Sequence, residues 1–589
     1  SFATGLLILA AWGCQSTPVP TAPPPDLPAS TDAASPDVLA ERAAAAGTSK
    51  QAATLYLQSA RLYYDENQQA AARQSFSAIQ VADLEDADLA AYLLLNAELA
   101  IAVGDYPRAR ASLLTIDAND LSDPLRLDLT EARLLAAEGR PASAARRLMS
   151  VDAPTNDVTA PQAVNDAIWK YLNQLSALEP GASTASSEPI EQGWWSLRRA
   201  MLESFSLADQ IARLSSWQKA WPNHPATTNL PSGLKAVTAE IRRPARVGLL
   251  LPLSGSLSRA GRAVRDGFIT AYLRFGRNAS FNLTLYDTAS DSVSNLYEQA
   301  LVDGMDLLVG PLRKESVVEI NGLNPELPVL ALNYLTTEQP APNLLQVGLA
   351  IEDEAESIAA RLERDGAKRL LVLHNDESWA IRASRTLRSQ WQAPLTQQTV
   401  MDLKTITESV GAGMFVAASE SRRNELSEVL REDLQFLPRA RGDIDAVVAL
   451  ITNIEANALV PALRFHFAQN LPVYASSQAV RGASPQDLRE LSGFLISELP
   501  WFVVENSTYT EMNEAFGLSA DPLSPLYALG VDAFRLCDRL PLFSSGAIAQ
   551  LLGSAGALRM EEGGRFKREM AWGRVVNSQL APASRTTGR

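Results

Sequence analysis

The amino-acid sequence predicts an α plus α/β protein, a helical half followed by a two-lobed α/β half, and three observations carry that prediction. Residues 38–242 read as nearly continuous helix and repeat a short motif. From residue 243 onward, short apolar runs alternate with amphipathic segments. That alternation changes character near Gln346–Glu352, which divides the second half into two sheets. The chain is organised around Arg243–Phe268. Its apolar run Val247–Leu251 suits a strand buried on both faces, and Pro252 with Ser254-Gly255-Ser256 stops it. Leu257, Val264, Phe268 and Ala271 then fall on one helical face, with Arg259, Arg262 and Asp266 away from it. Such a strand, turn and helix open a doubly wound domain, which binds its ligands beyond the carboxyl ends of its strands.

A length of 589 residues is a soft prior for about four domains. A hydrophobic fraction of 46% allows a sizeable core. The formal charge of −15 disfavours a nucleic-acid partner, which needs a basic face to displace counterions, and adsorption to anionic lipid.

Residues 1–13 form an apolar segment of signal-peptide length, too short to span a bilayer, that runs through small residues into Cys14. This resembles a bacterial lipoprotein signal, in which the cysteine becomes the lipid-bearing N-terminus; Ala11 stands where such signals usually carry Leu. Cys14 is therefore the expected lipidation site, and Gln15 after it fits sorting to an outer membrane by the rule known for such signals. The alternative is an ordinary secretory segment with an incidental cysteine. Residues 14–37 hold seven prolines and almost no large apolar side chain, which predicts an extended tether. Roughly twenty residues at about 3.1 Å each reach on the order of 60 Å. Cys537 lies in the helical run Leu526–Leu540 beside Leu529, Val531 and Phe534 and reads as a buried apolar thiol, so no disulfide framework is implied.

The helical half is self-similar. The segments starting at Asn67, Gly104 and Gly139 each begin with a turn residue. Each then carries Ala five positions on (Ala72, Ala109, Ala144), a large apolar residue at nine (Phe76, Leu113, Leu148) and another at twelve (Ile79, Ile116, Val151). Spacings of 37 and 35 residues are close to the 34 of tetratricopeptide helix pairs, and predict a TPR-like solenoid over 38–242. A non-repetitive bundle is the alternative. Trp194, Trp195, Trp217 and Trp221 are expected to close its last helical pair.

The α/β half, 243–589, has predicted strands at Val247–Leu251, Leu283–Tyr286, Asp306–Val309, Val329–Leu332, Leu370–Leu373, Ala446–Ile451 and Val473–Ala475, with helices between them. Segments near Leu499–Val504 and Met570–Val576 are expected to cross back between the lobes.

No motif for an enzyme is present: there is no HExxH, CxxC or GxSxG, and no Gly-rich run ends in Gly-Lys. No metal or cofactor is expected. Ser254, Gly255 and Ser256 can present amides and hydroxyls to an anion, or simply cap a helix. Asp287, at a strand end, is a cleft residue or the side chain of an Asx-turn. Asn333 and Tyr334 are further candidate cleft residues, and His374, just after a strand at the carboxyl end where sites form, is either a ligand-binding residue or a plain loop histidine. His224 is expected to cap a helix or turn, and His466 to lie on an amphipathic helix. Glu420–Glu432 reads as a solvated helical face. The loop after it, with Arg439, Arg441 and Asp443, is either partner-facing or plain surface.

With those residues in place, VGLLLPLSGSLSRAGRAVRDGF resembles the opening of type I periplasmic solute-binding proteins. More closely, the chain resembles the LpoA family of penicillin-binding protein activator lipoproteins. The matching pieces are SWQKAWPNHPA with Leu230-Pro231, VGLLLPLSG, PRARGDIDAVVAL from Pro438, LPVYASSQA from Leu471, SELPW from Ser497 and LLGSAGALRMEEGGRFKREMAWGRV. They run in order over Gly193–Val575, and that order is more specific than any one of them. The resemblance implies a helical N-terminal domain, a type I periplasmic-binding-protein-like C-terminal domain, and an outer-membrane lipoprotein facing the periplasm. It also implies a monomeric regulator, not an enzyme, that stimulates a class A penicillin-binding protein, a peptidoglycan synthase. The rivals are a solute-binding lipoprotein serving a transporter or sensor, and a glycan hydrolase working through paired carboxylates.

Overall fold

The computed structural model describes residues 35–151, 159–178, 188–239, 243–275, 281–336, 339–435, 441–504, 506–519 and 521–583. Contacts divide the chain into two compact units, Ser1–Thr130 and Glu131–Arg589.

The repeat predicted from the sequence is built by its turns. Helices Ser49–Asp65, Asp86–Ala102 and Pro124–Ala137 are followed by Gln69–Ser77, Tyr106–Leu113 and Pro141–Met149. At each junction the turn residue is left-handed: Asn67 (φ 61°), Gly104 (φ 79°) and Gly139 (φ 77°). The next amide then reaches five residues back, Gln68 to Tyr63 (2.8 Å), Asp105 to Ala100 (2.9 Å) and Arg140 to Leu135 (2.9 Å), which satisfies carbonyls at each helix end. The chain thereby doubles back onto its own apolar face. Ala72, Ala109 and Ala144 are completely buried, as small residues must be where two helices pack closely.

The tryptophan-rich segment closes around a histidine. His224 caps the short helix Pro225–Thr228: its Nδ1 accepts from the Ala226 amide (3.1 Å), so Nε2 carries the proton and donates to the Ile190 carbonyl (2.9 Å). The ring edges of Trp194, Trp217 and Trp221 surround it. Burial lowers its pKa, so the imidazole is neutral and structural.

Strands begin with β1 (Arg246–Leu251), β2 (Asn282–Asp287), β3 (Leu307–Val309), β4 (Val329–Ala331) and β5 (Leu344–Gln346), a parallel sheet in the order β2-β1-β3-β4-β5. The second lobe holds β6 (Leu370–Asn375), β7 (Leu395–Val400), β8 (Ala446–Leu450), β9 (Val473–Ser476) and β10 (Leu495–Glu498). A three-stranded antiparallel sheet follows: β11 (Leu551–Leu552), β12 (Ala557–Met560) and β13 (Phe566–Glu569). Finally β14 (Ala571–Val576) and β15 (Gln579–Pro582) extend the second lobe's sheet to β15-β14-β10-β9-β8-β6-β7, with β14 antiparallel to β10. The crossing near Met570–Val576 is thus β14. Leu499–Val504 is not a strand: the extended segment is β10, and Pro500, which fits a first helical turn, opens the short helix Pro500–Val503.

Helix Ser524–Cys537 returns to the first lobe and packs on Ser258–Phe275 with unusual closeness. A Cβ on Gly267 would lie 2.1 Å from the Tyr527 carbonyl oxygen, and one on Gly530 2.1 Å from that of Val264. Cys537 is buried in the same core, and burial raises its pKa well above the usual thiol range. The far end of this helix holds the segment Ser204–Gln210. Arg535, wholly buried among carbonyls, donates to Leu552 (2.6 Å), Ser204 (3.0 Å) and Phe205 (3.2 Å), while Arg539 donates to Gln210 Oε1 (3.3 Å).

Candidate functional site

Sequence reasoning places the site at the carboxyl ends of the strands, and the first lobe brings Ser254, Gly255, Ser256 and Asp287 together there. The Asp287 carboxylate accepts from the amides of Leu253 (2.8 Å), Ala289 (3.0 Å) and Ser254 (3.4 Å). Partial burial pushes its pKa up, but hydrogen bonds from the Ser254 side chain and these amides outweigh that, and the net shift is down. The amides of Leu253 and Ser254, donors an incoming anion would use, therefore already hold an anion belonging to the fold. Ser254, Gly255 and Ser256 are exposed, with Gly255 left-handed (φ 69°) to make the turn.

Asn333 and Tyr334 sit just beyond β4. Asn333 donates to the Leu312 carbonyl (3.0 Å) and accepts from the Tyr334 amide (3.0 Å). Tyr334 is buried, and its hydroxyl donates to the Phe566 carbonyl (2.8 Å), fastening β13 to the first lobe; the Arg565 guanidinium lies 4.1 Å above its ring. His374 does not join these groups. It is buried within β6, with Nδ1 2.8 Å from the Asn375 carbonyl and Nε2 2.7 Å from Gln397 of the neighbouring β7.

The polar centre of the second lobe was not anticipated from the sequence. It gathers on the first turns of helix Ile351–Arg364. Asp353 accepts from Arg568 Nε of β13 (2.9 Å), and the same guanidinium donates to the carbonyls of Ala350 (2.7 Å) and Ala555 (3.0 Å). The next residue, Glu354, accepts the Ser477 amide (2.9 Å) and hydroxyl (3.0 Å) at the carboxyl end of β9. Burial, reinforced by the nearby Glu498 carboxylate, pushes the Glu354 pKa up to about 7; burial raises that of Asp353 to about 6 in spite of Arg568. The sequence signals only one of the buried arginines: Arg535 stands between Phe534 and Leu536, and a charge in such an apolar stretch is buried only with partners, whereas Arg568 is masked by the charged run Arg565–Glu569.

Of the loop residues, Arg441 forms a two-point ion pair with Asp443 (2.5 and 2.6 Å) and lies 4.6 Å over the Phe415 ring. Arg441 holds the exposed Asp443 carboxyl down at about 2. Arg439 and Cys14 lie outside the described residues. Among the described residues, no group of three His, Cys, Asp or Glu side chains is placed to hold a metal ion, and no helix is long and apolar enough to cross a membrane.

Helical pairs followed by a two-lobed α/β module of the periplasmic-binding type define the architectural class of the chain, and Asp287, Asn333 and His374 at its strand ends are engaged within the fold. The chain belongs to the LppC lipoprotein family, whose profile matches residues 29–577. It is similar to the penicillin-binding protein activator LpoA of Vibrio antiquarius, with 26% identity over 427 residues covering 69% of this chain and 70% of that one. The protein of the same name from Escherichia coli is 25% identical over 590 residues, covering 85% of this chain and 87% of that one. Among solved structures, Haemophilus influenzae LpoA aligns with a TM-score of 0.56 at 23% identity, over 94% of this chain and 99% of that one, and shares its fold.

Proposed function

We propose that this chain is an outer-membrane lipoprotein, anchored through Cys14, that binds a class A penicillin-binding protein as a monomer and raises its transpeptidase activity from the periplasmic side. The observation that carries the reading is similarity to penicillin-binding protein activators that extends through most of both chains. The chain acts as a regulator and not as a catalyst. Activation is then a coupling free energy between docking and the synthase's active state, typically about 1–3 kcal/mol, or about 5- to 150-fold in the equilibrium. The partner-facing candidates are Arg441 and Asp443, near the start of the helix Val416–Leu430, which leaves Leu426, Val429 and Leu430 exposed, together with Arg439, which lies outside the described residues. A solute-binding role finds less support, because Asp287 and His374 already have partners within the fold.

The test is direct. Full-length protein in detergent is mixed with a purified class A penicillin-binding protein and cross-linked product is measured with and without it. A several-fold rise that is lost when Arg441→Glu and Val429→Glu are introduced together supports the reading, and absence of both binding and stimulation rejects it.

A further inference from the structure

The Glu131–Arg589 unit contains a cavity of about 590 Å³, well inside the range that encloses a small organic ligand. It lies away from the strand-end residues discussed above. The cavity is lined by helix Ile351–Arg364, by the β12–β13 hairpin that is ion-paired to it, and by the turn after helix Ala160–Leu172. That turn is fixed in place: Gln550 donates to the Leu175 carbonyl (2.8 Å) and Arg559 to the Asn173 carbonyl (3.2 Å). The walls are therefore held before any ligand arrives, which reduces the ordering cost of binding.

The lining mixes apolar surface with side chains of both signs of charge. Most of these groups are engaged with each other: Asp353 with Arg568, and Lys567 with Glu356 and, at 3.8 Å, Glu561. Four lining side chains have no hydrogen-bond or ion-pair partner among the described residues: the exposed carboxylate of Glu363, the exposed carboxamides of Gln174 and Gln390, and the buried Nε1 donor of Trp572. A free carboxylate asks for an ammonium group. Two free carboxamides, each both donor and acceptor, match the alternating N–H and C=O of a peptide backbone. A phosphate would meet the carboxylates of Glu363, Glu561 and Glu569.

We infer that this cavity is a binding site for a short hydrophilic peptide bearing a free amine, with Glu363 taking the ammonium group and Gln174 and Gln390 the backbone.

The probes are N-acetyl-Ala-Lys-Ala-amide and its Gln counterpart, N-acetyl-Ala-Gln-Ala-amide, titrated up to millimolar concentration into the full chain while melting is followed. A ligand that binds only the folded state raises the transition temperature by mass action. The expected result is a rise with the Lys peptide and none with the Gln peptide. The Glu363→Gln variant, changed at an exposed position, melts as wild type and weakens Lys-peptide binding about tenfold or more, the loss of one charge-assisted hydrogen bond. Gln390→Ala weakens it several-fold. The inference is overturned by no shift with either peptide, by equal shifts with both, or by an unchanged response in Glu363→Gln. Synthase stimulation, assayed separately, is indifferent to each of these results.

Discussion

Arg568 and Asp353 meet across 2.9 Å with both side chains almost fully removed from water. They lie 215 residues apart, on β13 and on the first turn of the helix that opens the second lobe. The contact ties the small antiparallel sheet to that helix, while Tyr334 ties the same sheet to the first lobe.

Removing one member of such a pair strands the other. Arg568→Ala leaves a buried carboxylate and the carbonyls of Ala350 and Ala555 without their donor, so a loss of about 3–5 kcal/mol is expected for the Glu131–Arg589 unit. The double change Arg568→Met with Asp353→Leu should cost less than Arg568→Ala alone, because no lone charge remains buried. Urea unfolding of the three proteins measures both; a cost for Arg568→Ala within about 1 kcal/mol of zero would show that water reaches the pair.

Glu354 supplies a pH dependence. Its folded pKa is about 7 against a usual 4.5, so between those values the folded chain holds a proton that the unfolded chain has released. The stabilisation is present below about pH 4.5, falls as pH rises through this window and is gone above pH 7. A shift of this size corresponds to about 3 kcal/mol in order of magnitude. Glu498 acts in the same direction, whereas the Ser477 amide and the guanidinium groups of Arg568 and Arg481 oppose it. Glu354→Gln removes the ionisable group and should be more stable relative to wild type at pH 8 than at pH 5. Asp353 titrates in both proteins and cancels in the comparison. Denaturation midpoints at the two pH values decide it, and a difference that does not change with pH refutes the assignment.

What was readable in the sequence follows from where the information is local. The left-handed turns at Asn67, Gly104 and Gly139, with a buried Ala five residues after each, lie within one short segment, so their repetition is visible in a single chain. The parallel strands are visible for a similar reason, since burial on both faces leaves runs such as Val247–Leu251 with no polar residue. The strand-end candidates were locally correct in position, yet Asp287 could not reveal from sequence whether it faces a ligand or its own turn. Nor could the pairing of Glu354 with Ser477, which depends on how distant strands are ordered in the sheet. His374, expected in the loop just after a strand, lies buried inside β6, and only the order β8-β6-β7 shows that Gln397 takes up its ring.

Arg535 should be as sensitive as Arg568, for a different reason. It satisfies three carbonyls, two of them in Ser204-Phe205, and is the cationic neighbour of the buried Asp532 (3.9 Å). Burial lowers its pKa to about 10, which still leaves it charged near neutrality. Arg535→Met keeps an unbranched apolar stem but no donor. A loss of at least about 3 kcal/mol is expected, with faster amide exchange in Ser204–Gln210 before exchange rises in helix Ser524–Cys537. Exchange measured by mass spectrometry distinguishes this from uniform destabilisation, in which both segments would respond together.

The first unit carries its own buried charge. Glu98, with its side chain 3% exposed, accepts from Arg61 of the preceding helix pair and from Arg126 Nε (3.0 Å) of the following one, and Asp65 bridges the same two arginines. Successive repeats in such proteins are stabilised chiefly by their nearest neighbours, so a contact shared by three helices couples their unfolding. Glu98→Ala should cost about 1–3 kcal/mol, discounted from a fully buried pair because the arginines are a quarter exposed, and should broaden the unfolding transition of residues 35–130. Asp65→Ala, at a more exposed position, should cost less than about 1 kcal/mol and leave the transition sharp. Thermal melts of the two variants side by side separate a buried coupling residue from a surface ion pair. Equal effects would mean that Glu98 contributes only as one more surface charge, and that apolar packing alone couples the repeats.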